Sequence, residues 1–375
     1  MTEIPNLFPV AVSILNSDLM KAQTLLRDQI EESQLFQIGY QKSLIASIKK
    51  QYFAKNPVKK FVVIASFNNY DFLSTNINGR KVDSIWFEEF AKFSKDPKAA
   101  AKFMQDAVAI ISNNTINRIG LEKFAEIYKS TPHAIYILQD IDSHHWREMS
   151  VQVPALVDVY APGHTGSFIS EGRINPNLVT GIPIGTTQWS RDFVLQHIPE
   201  LANSERLDQP FGMHSFYPKF KFRNQVVATL SKFSPHTGLQ NTTETNGFLG
   251  RDPEQRWKDW AKYKLHWIIP VANDLPNRFF DALITGGLAL TPKQFRSTIK
   301  HLGIPDEFIC YYEPIDILDP QNFIKAALKQ FEDQGGNLGA VRRARFTLEH
   351  LHVDKIMDDL FDAALEFYPN EIGIN

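Results

Sequence analysis

Short apolar runs separated by stretches of helical periodicity constrain this chain more than any other feature. FVVIASF (61–67) and AIYILQD (134–140) are rich in β-branched residues and nearly free of charge, the pattern of strands covered on both faces. LVDVYAPG (156–163), LVTGIPIG (178–185) and LHWIIPV (265–271) repeat the signal. Between them, 84–129 reads mainly as helix, and further helices are expected near 221–233 and 254–263. Residues 17–54 carry apolar side chains at three- and four-residue intervals behind the capping pair Ser17 and Asp18, and read as extra N-terminal helices. Strands alternating with helices imply parallel βαβ units, hence an α/β chain. No internal repeat is legible.

A chain of 375 residues is long enough for two such domains. The polar stretch 194–210, ending in Asp208-Gln209-Pro210, lacks a strand signal and marks the boundary. The expected division is 1–200, 201–352 and a closing segment, 353–375. In that segment Val353, Ile356, Met357, Leu360, Phe361, Ala364 and Leu365 form one apolar helix face, suited to cross back onto the first domain.

Forty Lys and Arg against 42 Asp and Glu give a formal net charge of -2, so no global field draws the protein to nucleic acid or anionic lipid. Any anion site must be local, and no nucleic-acid partner is expected. The single cysteine, Cys310, excludes an intramolecular disulfide and a multi-cysteine zinc site, and reads as a buried structural thiol. The N-terminus has no basic region before Lys21, and no run of about 18 apolar residues occurs, so neither a signal peptide nor a membrane span is expected. The expected compartment is the cytoplasm, with peripheral membrane association left open.

The stretch LHWIIPVANDLPNRFFDALITGGLALTP (265–292) reads strand, loop, helix, glycine pair, strand. Asn273 or Asp274 can cap the helix, Pro276 suits its first turn, and Gly286-Gly287 can end it. Such a helix start, at the carboxyl edge of a parallel sheet, is where α/β proteins take anions. Asn277 and Arg278 lie in the first turn, Arg278 as a fixed cation for a diphosphate. Asp281, one turn on, can accept from ribose hydroxyls. Equally, Arg278 and Asp281 at i and i+3 can pair with each other on the helix surface.

PNRFFDALITGGLALTP resembles the donor-binding segment of GT-B glycosyltransferases, particularly the group-1 and spore-maturation types, with Arg278, Phe280, Asp281, Ala282 and Gly286 on the pattern R-x-F-E-A-x-x-x-G. VDVYAPG (157–163), GIPIGTTQWSRDF (181–193) and RRARFTLEHLHVDKIMDDLF (342–361) resemble further segments of that family in the same order. The resemblance implies two Rossmann-like domains facing a central cleft, a UDP- or GDP-linked nucleotide-sugar as co-substrate, and no tightly bound cofactor or metal. It also implies an acceptor that is a glycan, lipid-linked or protein molecule. The family's E-x7-E pattern is incomplete, because Asn273 stands at the first position and Asp281 at the second. A catalytically inactive GT-B-like binding or scaffold protein is therefore one alternative.

His214, Lys219, Lys221 and Arg223 fall where the family's first donor-domain loop contributes to diphosphate binding. The lysines can instead form a solvated face over Phe216, Phe220 and Phe222. For a base that deprotonates the acceptor hydroxyl, QDIDSHHW (139–146) offers Asp142 and His144, and the strand ending at Gly163 offers His164. Asp142 can alternatively cap the next helix. Asp140 and Asp142 also fit the D-x-D by which metal-dependent GT-A transferases hold a cation, and the histidine and carboxylate cluster suits a metal hydrolase.

Overall fold

The structure is a computed structural model that describes residues 34–66, 70, 72–141, 153–163, 175, 177–179, 181–214, 216–217, 220–234, 237–241, 252–271 and 274–368. The chain divides into two compact units. The first is built on residues up to Ser66, on Asn78–Ile182 and on the chain from Asp359; the second is built on Phe67–Ile77 and Pro183–Asp358.

In the first unit, parallel strands β1 (Lys60–Ala65), β2 (Arg80–Trp86), β3 (Ala107–Ser112), β4 (Ala134–Asp140) and β5 (Val159–Pro162) lie in the order β2-β1-β3-β4-β5. Strands β3 and β4 are buried along their whole lengths, which is why their sequences do not alternate. Helix α1 (Gln34–Lys55) and helix α2 (Leu121–Ser130) belong to this unit. Val62, Ile64, Ile110 and Leu138 are fully buried in the sheet.

One buried polar knot fixes α1 and α2. Lys49 Nζ lies 2.7 Å from Asp158 Oδ2 and also donates to the Ala134 carbonyl. The Tyr128 hydroxyl donates to Asp158 Oδ1 at 2.7 Å, and the Tyr136 amide to Oδ2 at 2.8 Å. Burial pushes the Lys42 ammonium, which donates to the Tyr128 hydroxyl, down to about 8.

In the second unit, β6 (Leu207–His214), β7 (Leu239–Asn241), β8 (Tyr263–Trp267), β9 (Leu288–Pro292) and β10 (Ile309–Tyr312) are parallel, in the order β7-β6-β8-β9-β10. Its helices include α3 (Lys221–Ser231), α4 (Pro253–Ala261), α5 (Asn277–Ile284), α6 (Pro314–Leu318), α7 (Pro320–Asp333) and α8 (Gly336–His350). Helix α9 (Val353–Phe367) belongs to this unit up to Asp358 and to the first from Asp359; Val353, Ile356, Met357, Leu360, Phe361 and Ala364 are buried. Cys310 is buried in β10, and burial pushes its thiol up to about 12.

Apart from a sixth, two-residue edge strand in the first sheet, Asn76–Ile77 beyond β2, each sheet has the same relative order, second-first-third-fourth-fifth, and both units are doubly wound, Rossmann-like α/β layers. The strand order reverses between β1 and β3 in one unit and between β6 and β8 in the other. This repeat of topology needs only matching polarity patterns, so no repeat of residues accompanies it.

Three expectations are corrected. The span 84–129 contains the end of β2 and all of β3: AVAIIS is a short apolar run whose periodicity fits a buried helix segment or a buried strand equally. LVTGIPIG is not a strand, since among its described residues only Leu178 makes a bridge, to Tyr160. Leu239–Asn241, where no strand was expected, is the edge strand β7. Residues 17–33 of the expected N-terminal helices lie outside the described residues.

Candidate functional site

The reversal point of the second sheet collects the strongest group of sequence candidates. Strand β6 ends at His214, which is buried. Its Nε2 lies 3.2 Å from the carbonyl of Trp267, the last residue of β8, and its Nδ1 lies 3.4 Å from Arg223 Nη2. A guanidinium can only donate, so Nδ1 accepts and Nε2 carries the proton toward Trp267. Burial, and then the charges of Arg278 and Arg223, hold the imidazole well below its usual value; it is neutral.

Arg223 stands in the first turn of α3, the helix that follows β6, and Arg278 in the first turn of α5, the helix that follows β8. Arg223 is buried, lies over the Tyr217 ring at 4.7 Å, and has its pKa lowered by burial. Arg278 is half-buried over the Trp260 ring at 5.2 Å, and burial brings its pKa down to about 10. Asn277, half-buried, opens α5. The site thus holds two partly desolvated guanidinium groups, both cationic at neutral pH, the electrostatic condition for taking an anion.

The helix cap differs from expectation. Pro276 is the N-cap residue of α5 and no side chain caps it. Asp274 instead closes its own turn, with its Oδ1 accepting from the Val271 amide at 2.6 Å. Asn273 lies outside the described residues.

Asp281 is buried, and its Oδ1 accepts from the Thr186 hydroxyl at 2.8 Å. Burial raises its carboxyl to about 7, against the opposing pull of that hydrogen bond and of Arg278 and Arg256. Thr186 is held on both sides, its amide donating to the Leu351 carbonyl at 2.9 Å and its carbonyl accepting from the Val353 amide at 3.0 Å. Beside it, Gly185 has φ +76°, and a side chain there would meet the Leu351 carbonyl at 2.5 Å.

The far end of α5 is fastened by residues that the sequence reading did not single out. Arg343, fully buried in α8, donates from Nε and Nη2 to the Gly286 carbonyl at 3.0 and 2.9 Å, and Arg206 donates to the Thr285 carbonyl at 2.9 Å. Both cations sit where the helix dipole favours them. Gly286, at φ +81°, lets its amide reach the Leu283 carbonyl, while Gly287 leaves room for the His266 ring, whose Cδ2 would lie 2.2 Å from an added Cβ. The glycine pair therefore ends the helix, as expected, and admits a buried histidine stacked on Trp260 at 5.1 Å.

Of the remaining candidates, Lys219, Asp142, His144 and His164 lie outside the described residues. Asp140, the first member of the D-x-D, is fully buried and accepts from the Tyr160 hydroxyl at 2.9 Å. Among the described residues no group of three His, Cys, Asp or Glu is arranged to hold a metal ion, and no helix is long and apolar enough to cross a membrane. Beside Arg223, a cavity of about 820 Å³ opens at the carboxyl ends of β8, β9 and β10.

No protein-family model matches the chain, and no curated protein matches it. Two solved structures are similar in fold. One is an alpha-glucosyltransferase in complex with UDP-glucose and DNA containing an abasic site, 11% identical over 85% of this chain and 94% of that chain, at a TM-score of 0.48. Another is an apo structure of OtsA, 10% identical over 86% of this chain and 95% of that chain, at 0.42. At such scores the likeness decides nothing about this chain's chemistry.

Proposed function

We propose that this chain is a nucleotide-sugar-dependent glycosyltransferase of GT-B type, moving a sugar from a UDP- or GDP-linked donor to a glycan, lipid-linked or protein acceptor. One juxtaposition supports this reading. Arg223 and Arg278 stand in the first turns of the helices that follow the two strands at the reversal point, and both act on a neutral His214. Doubly wound sheets take phosphorylated ligands at that point.

In this reading Arg223 and Arg278 hold the diphosphate and stabilise the charge that develops on it as the sugar departs. Lys219 adds a third cation, and Asn277 contributes the first backbone N–H of α5. His214 steers the Arg223 guanidinium, since its Nδ1 is the acceptor that guanidinium faces. For Asp281 to take a ribose hydroxyl, that hydroxyl must reach a carboxyl group that is buried and already accepts from Thr186. The donor is assigned to the second unit and the acceptor to the first. The base is sought among Asp142, His144 and His164.

The engaged state of Asp281 favours one second reading, a binding module without turnover. Nucleotide release from UDP- and GDP-sugars separates the two, measured with and without EDTA. Turnover that survives chelation, and that falls about 10²–10⁴-fold in one of Asp142→Asn, His144→Ala or His164→Ala with donor affinity kept, is the expected result. Nucleotide binding without release from any sugar would leave the binding module standing.

A further inference from the structure

The cavity beside Arg223 is larger than the anion site needs, and much of its wall has a different character. Phe220, Val226, Ile269, Tyr312 and Ile317 line it, together with the polar side chains of Lys221, Arg223, Lys293, Gln294 and Glu313. The Tyr312 hydroxyl is already spent on the Ile268 carbonyl at 3.1 Å, which leaves the ring as the wall. A second cavity of about 400 Å³ shares Phe222, Val226, Pro314 and Ile317 with the first and continues between α3 and α6. Among the described residues its polar side chains are Gln225 and Thr229. The two form one groove, and it runs out over apolar residues that face solvent: Phe222 is 73%, Ile315 67% and Leu318 64% exposed. Isolated exposed apolar residues are ordinary, but three at the mouth of a continuous apolar groove mark a binding surface.

The charges are confined to the larger cavity: Lys221, Arg223, Lys293 and Glu313 line it, and among the described residues no charged side chain lines the smaller one. Glu313 is paired with Lys293, and the Asp316 carboxylate accepts from the Glu313 amide at 2.7 Å, so the acidic groups of α6 are turned to their own helix start. A nucleoside needs hydrogen-bond partners for its base and sugar, and the smaller cavity offers few; an alkyl chain needs none.

We propose that the groove between α3 and α6 binds the aliphatic chain of a phosphorylated lipid, with the phosphate at the Arg223 end and the chain leaving past Phe222 and Leu318. This goes beyond the donor site and shares only Arg223 with it.

Calorimetric titration of n-alkyl phosphates from butyl to decyl, below micelle formation, tests it. The affinity of the wild-type protein rises about fourfold per added methylene, the equivalent of ~0.8 kcal/mol for each buried CH₂. Phe222→Asp and Leu318→Asp, both at exposed positions and so tolerated by the fold, flatten that rise. Arg223→Met keeps the rise and loses the preference for an alkyl phosphate over the matching alcohol. An affinity indifferent to chain length, or a rise that persists in both aspartate variants, would overturn the proposal. UDP titrated into the wild-type protein is a separate reading: its failure to bind would remove the donor assignment and leave the chain-length series intact as the test of the groove.

Discussion

Replacing Asp281 by Asn probes the least ordinary group of the donor-side helix. The carboxyl is buried, its pKa is raised from 3.8 to about 7 chiefly by burial, and its Oδ1 accepts from Thr186. The sign follows from which state holds the proton. Between about pH 4 and about pH 7 the folded carboxyl is protonated while the unfolded one is ionised, so the folded state binds more protons and stability falls as pH rises. Above the folded value both states are ionised and the cost is level. A span from 3.8 to about 7, at ~1.4 kcal/mol per pH unit, sets the full cost at about 4 kcal/mol. Asparagine keeps an oxygen for the Thr186 hydroxyl and carries no charge. Asp281→Asn therefore stabilises the second unit by up to about 4 kcal/mol at pH 8, by less at pH 6, and by almost nothing at pH 4. Urea unfolding followed by fluorescence suits the assay, because Trp189, Trp257, Trp260 and Trp267 are all buried in that unit. A difference between variant and wild type that is constant from pH 5 to pH 8 would refute the reasoning.

Two further tests probe how each unit holds together internally. Lys49→Met leaves the Asp158 carboxylate buried without its cation and should cost about 3–5 kcal/mol, with much of the loss recovered when Asp158 is replaced by Leu in the same chain; urea midpoints measure both. Gly287→Ala forces a Cβ into the His266 ring and should lower the melting temperature by an amount equivalent to about 1–3 kcal/mol, whereas Gly303→Ala, with open space around its Cβ, pays only for its φ of +69°.

The parallel strands were legible because strands buried on both faces lose their alternation, as FVVIA and AIYILQD do. AVAIIS escaped because six apolar residues can belong to a buried helix as readily as to a strand. Arg278 was legible as a first-turn cation after a strand, whereas Arg223 was read in a loop, because the strand before it, Leu207–His214, begins inside the stretch 194–210 that shows no strand signal. His214 and Arg223, nine residues apart, were near enough in sequence to be considered together. The supports of α5 were not legible: Thr186 lies 95 residues from Asp281, and Arg343 lies 57 residues from Gly286. A hydrogen bond from an arginine to a backbone carbonyl leaves no mark on the accepting residue, and glycine least of all. The absent side-chain cap on α5 has a local cause, since Asp274 is drawn into the turn with Val271 and Pro276 takes the cap position.

The central claim is that the reversal point of the second sheet grips a nucleotide diphosphate through Arg278 and Arg223. Calorimetric titration of UDP and GDP into the wild-type protein and into Arg278→Met tests it most directly. The account predicts that one of the two nucleotides binds the wild-type protein and binds the folded variant about 10–100-fold more weakly, as expected for the loss of hydrogen bonds from a charged donor. Equal affinity for the two proteins, or no binding of either nucleotide to the wild type, would contradict it.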